Sequence, residues 1–333
     1  MTMKQTLSPL ARIAMSAAVL ATTAAALFVD SALAQGAWPQ STVKILVPYP
    51  PGGGADNSPR ILIDSLAKKW GQAVVIENRS GAGGNVGAEV ASRAAGDGYT
   101  FFATPSPVLA VNQLIYKKLN FDPTSFKPVV MMSEIPTVIS THPSLGVNNV
   151  KELIAKAKAE TIAYGSQGNG STSHLSAAMF EAAAGVKLNH VPYRGSGPLV
   201  NDHVGGHVKL TFDNLASGIA QHQAGKLKFI AIGSPKRSVF LPDLPTVIES
   251  GLPGFVSVAR FVLAAPAGTP DAIIAKVNKD VNELLASADV KSKYAALGAT
   301  PVGDTPQAMG EFIASERKRW AEVIKAANIP QVE

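Results

Sequence analysis

Gly52, Gly53 and Gly54 stand in a row between Tyr49-Pro50-Pro51 and Ala55-Asp56. Where a chain carries no side chains and its N–H groups lack partners, a ligand can reach the main chain itself, and the natural guest is an anion. A sharp connection would use the same residues, so this loop alone decides nothing. The pattern returns, however, at Gly81-Ala82-Gly83-Gly84-Asn85. It appears again, in its most polar form, at Ser166-Gln167-Gly168-Asn169-Gly170-Ser171-Thr172-Ser173-His174. Loops of this kind at helix starts can hold a small anion without a cationic side chain, because free N–H groups and the helix dipole both favour negative charge.

The candidate contacts are the backbone of Gly53, Gly54 and Ala55, with Asn85, Thr104, Ser106, Ser166, Asn169, Ser171, Thr172 and Arg194 in the loops that follow. Ser166, Ser171 and Thr172 serve equally as ligand donors or as helix caps, and Asn85 suits the start of a helix. His174 either bonds a ligand or pins its own loop. Tyr49 either walls a cleft or belongs to the core. Asp213, within Phe212-Asp213-Asn214, suits orienting neighbouring N–H groups or a water better than touching an anion, since like charges repel; Asp56 is expected to be structural for the same reason.

Other chemistries find less support. Ser171 and His174 are three apart at a helix start, but the sequence has no Gly-x-Ser-x-Gly elbow and places no acid to orient the histidine. The Gly81–Val86 stretch has Val86 where a dinucleotide fingerprint needs its third glycine, and a Walker lysine is missing. His203 and His207 are four apart, yet Gly205-Gly206 between them breaks the helix that would align them on a metal. No catalytic residue, cofactor or metal is expected.

The elements that position these loops follow from periodicity. Residues 43–47 form an apolar, β-branched run that reads as a buried strand, and residues 59–70 an amphipathic helix. Strands at 73–77 and 99–103, each followed by a loop and a helix (86–95 and 108–115), complete three strand-loop-helix units. Such units build a parallel, right-handed α/β sheet with its loops at one edge. Strands follow at 127–133 and 137–141, then a helix over 149–158 capped at Asn148-Asn149. Next come a strand at 161–165 and a helix that Gly185 stops. Strands at 188–191, 209–212 and 229–232 alternate with short helices, and an extended 241–247 segment leads into a helix over 247–250. A strand at 261–265, a long helix through Leu285 and helices near 290–297 and 306–327 close the chain. We expect one lobe from residues 35–138 and 258–333 and a second from 139–257.

At 333 residues and 46% hydrophobic, the chain can bury a core large enough for two lobes. Lys4 and Arg12 precede an apolar Ala-rich run that ends in Ala32-Leu33-Ala34, the pattern of a secretory signal peptide cleaved after Ala34. An exported chain with no cysteine relies on its core instead of disulfides, which suits a bacterial periplasm. A formal charge of +6 favours anionic small molecules. With only 6% aromatic residues and no basic cluster interleaved with them, nucleic acid is excluded as a partner.

These residues resemble, in order, the Bug family, the TctC-like extracytoplasmic receptors of tripartite tricarboxylate transporters. The resemblance rests on Pro51-Gly52-Gly53-Gly54-Ala55-Asp56, Glu77 through Ala88, Asp97-Gly98-Tyr99-Thr100, Gly168-Asn169-Gly170-Ser171, and His190 through Gly195. Phe212-Asp213-Asn214, Ala224-Gly225-Lys226-Leu227, Leu241 through Thr246 and Pro266-Ala267-Gly268-Thr269-Pro270 extend it over the whole mature chain. It implies a two-lobed periplasmic-binding-protein fold of type II, each lobe a mainly parallel sheet flanked by helices. It also implies a carboxylated ligand in the cleft between lobes, a monomer, and delivery to membrane transporter subunits. A sensor feeding a signalling system and, further off, a secreted hydrolase are the competing readings. One departure stands out: Arg260 and Val262 occupy positions where the family has an aromatic residue and a glycine. Arg260 either pairs with a second carboxylate of the ligand, or points to solvent or pairs with a nearby acid.

Overall fold

The computed structural model describes residues 38–326 and 329–332. The leader expected over residues 1–34 lies outside them, as does residue 327 of the last expected helix. From Ser41 the chain runs β1 (Val43–Val47), α1 (Gly54–Trp70), β2 (Val74–Asn78), α2 (Asn85–Ser92), β3 (Thr100–Pro105), α3 (Pro107–Ala110), α4 (Asn112–Ile115) and β4 (Lys127–Pro136). It continues through β5 (Val138–Thr141), α5 (Val150–Ala159), β6 (Ile162–Ser166), α6 (Thr172–Ala184), β7 (Leu188–Pro192), α7 (Ser196–Val204), β8 (Leu210–Thr211), α8 (Leu215–Gln223) and β9 (Lys228–Ile232). It ends with β10 (Val258–Ala265), α9 (Asp271–Ala286), α10 (Ala288–Ala296), β11 (Thr300–Pro301) and α11 (Pro306–Ala326).

The strands form two sheets, one ordered β11-β4-β10-β3-β1-β2 and the other β7-β6-β8-β5-β9. This is a two-lobed α/β fold. The expected parallel units hold for β2-β1-β3 and for β7-β6-β8. The sheets are nevertheless mixed, because β10 runs antiparallel to β3 and β4, and β5 antiparallel to β8 and β9. The strands that carry the chain between the sheets impose this. Β4 passes to β5 through the single residue Thr137, while residues 233–257 make the return from β9 to β10. Where the two crossings meet, three backbone bonds close a ring: Gly233 N–H to Thr137 O (2.8 Å), Thr137 N–H to Ser257 O (3.1 Å) and Ser257 N–H to Gly233 O (2.8 Å).

Each lobe has its own core. Val43, Ile45, Leu46 and Val47 of β1 are buried, as the interior position of that strand requires, and Phe101 and Phe102 of β3 are buried beside them. Tyr164, Phe180, Phe212 and Ile230 anchor the second core, joined by Val247, Leu252 and Phe255 from the return segment. Each such side chain contributes about 1.5–3 kcal/mol on leaving water. Helix ends follow local rules: the Asn149 side chain accepts from Glu152 N–H, Ser171 from His174 N–H, and Gly71 and Gly185 end their helices in the left-handed conformation.

Several expectations change. The first helix begins at Gly54, well before residue 59, so Pro59 lies inside it. Asn85 is the first helical residue of α2 and caps nothing; its Oδ1 accepts from Asn112 Nδ2 at 2.6 Å, a partner distant in sequence. The helix expected over 108–115 is two short ones, α3 and α4. Residues 247–250 form a turn instead of a helix, closed by Glu249 N–H to Thr246 Oγ1 and Thr246 N–H to the Glu249 carboxylate.

Candidate functional site

The triple glycine delivers a helix start to the other lobe. Gly53 precedes α1 in an extended conformation with no side-chain cap, and the N–H groups of Asp56 and Asn57 return to its carbonyl. The N–H groups of Gly53, Gly54 and Ala55 have no acceptor among the described residues, as the first turn of a helix dictates. Across from them stand two helix starts of the second lobe. A Cβ on Gly53 would lie 3.0 Å from Ser196 Oγ, and one on Gly54 would lie 2.9 Å from Asn214 Oδ1 and 2.8 Å from the Phe261 ring. Ser196 opens α7 and Asn214 precedes α8.

The third start, that of α6, joins through Gln167. Its main-chain N–H donates to Ser173 Oγ (2.8 Å), and its Nε2 donates to Ser196 Oγ (2.7 Å) and to Asp213 Oδ1. Asp213 Oδ1 also accepts from Asn214 N–H (2.7 Å) and Nδ2 (3.0 Å). Asp213 therefore orients neighbouring donors, one of the two roles its sequence context allowed. Burial pushes its carboxyl up to about 6 despite these bonds. Four helix N-termini thus surround one region, each bringing open N–H groups and a partial positive charge.

The loop before α6 is held from behind by stacked rings. His174 lies 4.4 Å from His190, and His190 lies 4.9 Å from Tyr164. His174 Nδ1 accepts from Gly170 N–H (3.2 Å), so this histidine pins its loop. Burial lowers His174 to about 3 and His190 to about 4. Ser166 Oγ is taken by His190 Nε2 (2.6 Å), and Ser171 Oγ donates to Gly168 O (2.6 Å) while capping α6. In front of the loop, Tyr116 Oη donates to Asn169 O (3.1 Å), and Tyr49 Oη and Asn112 Nδ2 both donate to Gly83 O.

Two cavities flank these contacts. One of about 180 Å³ is lined by Tyr49, Gly83, Tyr116, Gln167, Asn169 and Arg194. The other, of about 240 Å³, is lined by Ser106, Thr172, Ser257, Arg260, Arg319 and Trp320.

The structure thus brings Gly53, Gly54 and Ala55 opposite the second lobe, puts Tyr49, Asn169 and Arg194 around one cavity, and puts Ser106, Thr172 and Arg260 around the other. Thr172 Oγ1 is buried and has no partner among the described residues. Thr104 is turned inward, its hydroxyl donating to Pro105 O (3.2 Å). Arg260 pairs with an acid, Nε donating to Glu134 Oε1 at 2.6 Å, and its guanidinium lies 5.0 Å from the Phe312 ring centre. Asp56 is structural: it is buried and accepts from Arg60, Asn78 and Gly52 N–H. Sequence reasoning missed Gln167, Ser196, Asn214 and Tyr116. Gln167 and Asn214 each adjoin a residue singled out in the sequence, which was the available signal; Tyr116 had none. Among the described residues, no cluster of His, Asp or Glu is placed to hold a metal, and no helix is long and apolar enough to cross a membrane.

The two lobes and the helix starts between them define the periplasmic-binding-protein class of fold. Residues 59–329 match the family model described as tripartite tricarboxylate transporter family receptor, and the chain belongs to that family, the Bug or TctC-like receptors. It is 37% identical over 292 residues to the protein BugT of Bordetella pertussis, covering 86% of this chain and 90% of BugT. It is similar to the adipate complex of R. palustris Rpa4515, with TM-score 0.86, 36% identity, and coverage of 89% of this chain and 100% of that one. It is also similar to MatC of Rhodopseudomonas palustris with bound malate, with TM-score 0.82, 30% identity, and coverage of 86% and 100%.

Proposed function

We propose that this chain is a periplasmic receptor that captures a carboxylated small molecule between its lobes and hands it to membrane subunits of a tripartite tricarboxylate transporter. The observation that carries the reading is the meeting of the α1 start, with open N–H groups at Gly53, Gly54 and Ala55, and the starts of α6, α7 and α8. Such a site holds a carboxylate by main-chain donors and helix dipoles. The adipate and malate complexes of its relatives are of that chemistry. The receptor acts as a monomer, needs no cofactor and catalyses no reaction.

In this reading residues 35–138 with 258–333 and residues 139–257 are the two lobes, and the backbone ring at Thr137, Gly233 and Ser257 is the hinge. The leader is removed after Ala34 on export, and mass spectrometry of the periplasmic protein should show a chain beginning at Gln35.

The test is a thermal-shift screen of the mature protein against adipate, malate, benzoate, nicotinate and aspartate. A ligand at a hundred times its Kd adds about 2.7 kcal/mol, or about 4 °C in a chain of this size. Absence of any shift across the panel would overturn the carboxylate reading.

A further inference from the structure

A carboxylate already stands behind this site. Asp213 is only 4% exposed, and its two oxygens are treated unequally. Oδ1 takes three donors from Gln167 and Asn214, whereas Oδ2 is buried without a partner among the described residues. An ionised carboxylate with an unsolvated, unbonded oxygen is costly to keep. Asn214, which it orients directly, faces Gly54, and Ser196, which the same Gln167 amide binds, faces Gly53.

Among the described residues, no cation is paired with it. It is surrounded by β5, the loop after β6, α7, β8, α8 and β9. The titratable side chain these elements bring to the same small cavity is His203, which is engaged by Val208 O at Nδ1 (2.8 Å) and by Ser140 Oγ at Nε2 (2.9 Å). Burial holds that ring neutral, lowering it to about 4. On the opposing α1, Asp56 is committed to Arg60 and Asn78. The cavity beside Asp213, about 10 Å³, admits at most one water. The starts of α7 and α8 favour the ionised form, but a ligand anion competes for the same dipoles and repels Asp213 directly.

We propose that Asp213 takes up a proton when a carboxylate enters the cleft, so that the receptor captures anion and proton together. The inference rests on the carboxylate reading above. The proton goes to Oδ2, the oxygen with no donor, and the carboxylic acid keeps Oδ1 as the acceptor that orients Gln167 and Asn214. With the free carboxyl near 6 and raised further by the ligand, uptake takes place at neutral pH. Affinity then falls as pH rises, by up to about tenfold per unit while one proton is taken up per ligand.

The experiment is calorimetric titration of adipate into the mature protein at about pH 7 and 8, in two buffers of different ionisation enthalpy, for the wild type and Asp213→Asn. The amide reproduces the protonated carboxyl, an acceptor at one atom and a donor at the other. The wild type should show buffer-dependent enthalpy equal to uptake of nearly one proton and a Kd that weakens about tenfold over that unit. Asp213→Asn should bind with a pH-independent Kd and no uptake. Buffer-independent enthalpy in the wild type, or equal uptake in the variant, overturns the proposal and leaves the carboxylate reading standing. Should the variant fail to fold, the infrared difference spectrum of the wild type decides: adipate should produce a protonated-carboxyl band from the protein, and no such band overturns the proposal. If adipate, malate, benzoate, nicotinate and aspartate all fail to bind at both pH values, the carboxylate reading falls and this proposal with it.

Discussion

The phenol of Tyr116 donates to the main-chain oxygen of Asn169 across the two lobes, 3.1 Å away, at the point where Gly83 abuts the same carbonyl. Backbone bonds of Tyr116 to Asn112, and of its neighbours Ile115 and Lys117 to Val332, fix the ring's position. Gly83 has φ +61°, and a Cβ there would clash with Asn169 O and lie 2.6 Å from Tyr116 Oη. Gly83→Ala should therefore keep the lobes apart and weaken adipate binding by at least about tenfold, whereas Tyr116→Phe, losing one hydrogen bond, should cost about 0.5–1.5 kcal/mol. Calorimetry with small-angle scattering measures both effects. Wild-type affinity in Gly83→Ala would show that the lobes need not meet here.

Gly54→Val should fold but lose binding. The new side chain would press on Phe261, Asn214 and Ile135 and cover the open N–H groups of the first turn. Circular dichroism establishes the fold and thermal shift the binding; undiminished shifts in a folded variant would remove the α1 start from the site.

How much of this was legible beforehand depends on where each contact's partner lies. The Gly52-Gly53-Gly54 loop could be read because a strand, a gap in side chains and a helix lie within one short stretch. Ser171 as a cap and Gly185 as a helix end are equally local. Asn85 misled because its partner, Asn112, is 27 residues away, and Tyr116 was invisible because its partner is 53 residues away. The antiparallel placement of β10 likewise depends on a strand that returns from the other lobe, which no local pattern encodes.

Stability should fall in acid. His174 and His190 lie below the usual 6.5 when folded, at about 3 and 4, chiefly through burial. An unfolded chain gains their protons as pH drops through 6.5, while the folded chain does not until far lower. Their contribution is therefore intact above 6.5 and lost as pH falls toward about 4. His190→Phe, which retains a ring against Tyr164, should flatten the fall in Tm between about pH 7 and 4.5. An unchanged slope would assign the acid sensitivity elsewhere.

Arg260→Ala should lower stability by about 1–2 kcal/mol, the worth of a half-buried ion pair and a cation–π contact. Because Glu134 and Phe312 already engage the guanidinium, we expect small and equal losses of affinity for adipate and for the monoacid hexanoate. Titration of both into both proteins checks this. A loss confined to adipate would show Arg260 reaching a second carboxylate.

On the first-lobe side, glycine backbone makes contacts with the second lobe: Gly83 against the Asn169 carbonyl, and the Gly53-Gly54 turn against the side chains of Ser196 and Asn214 at the starts of α7 and α8. Main chain carries no record of which side chains surround it. On the proposed reading, substitutions at cavity-lining positions such as Arg194 or Trp320 would redirect ligand preference without rebuilding the closing surface. In a lineage that duplicates such a gene, new receptors can diverge one cavity residue at a time while retaining a working clamp.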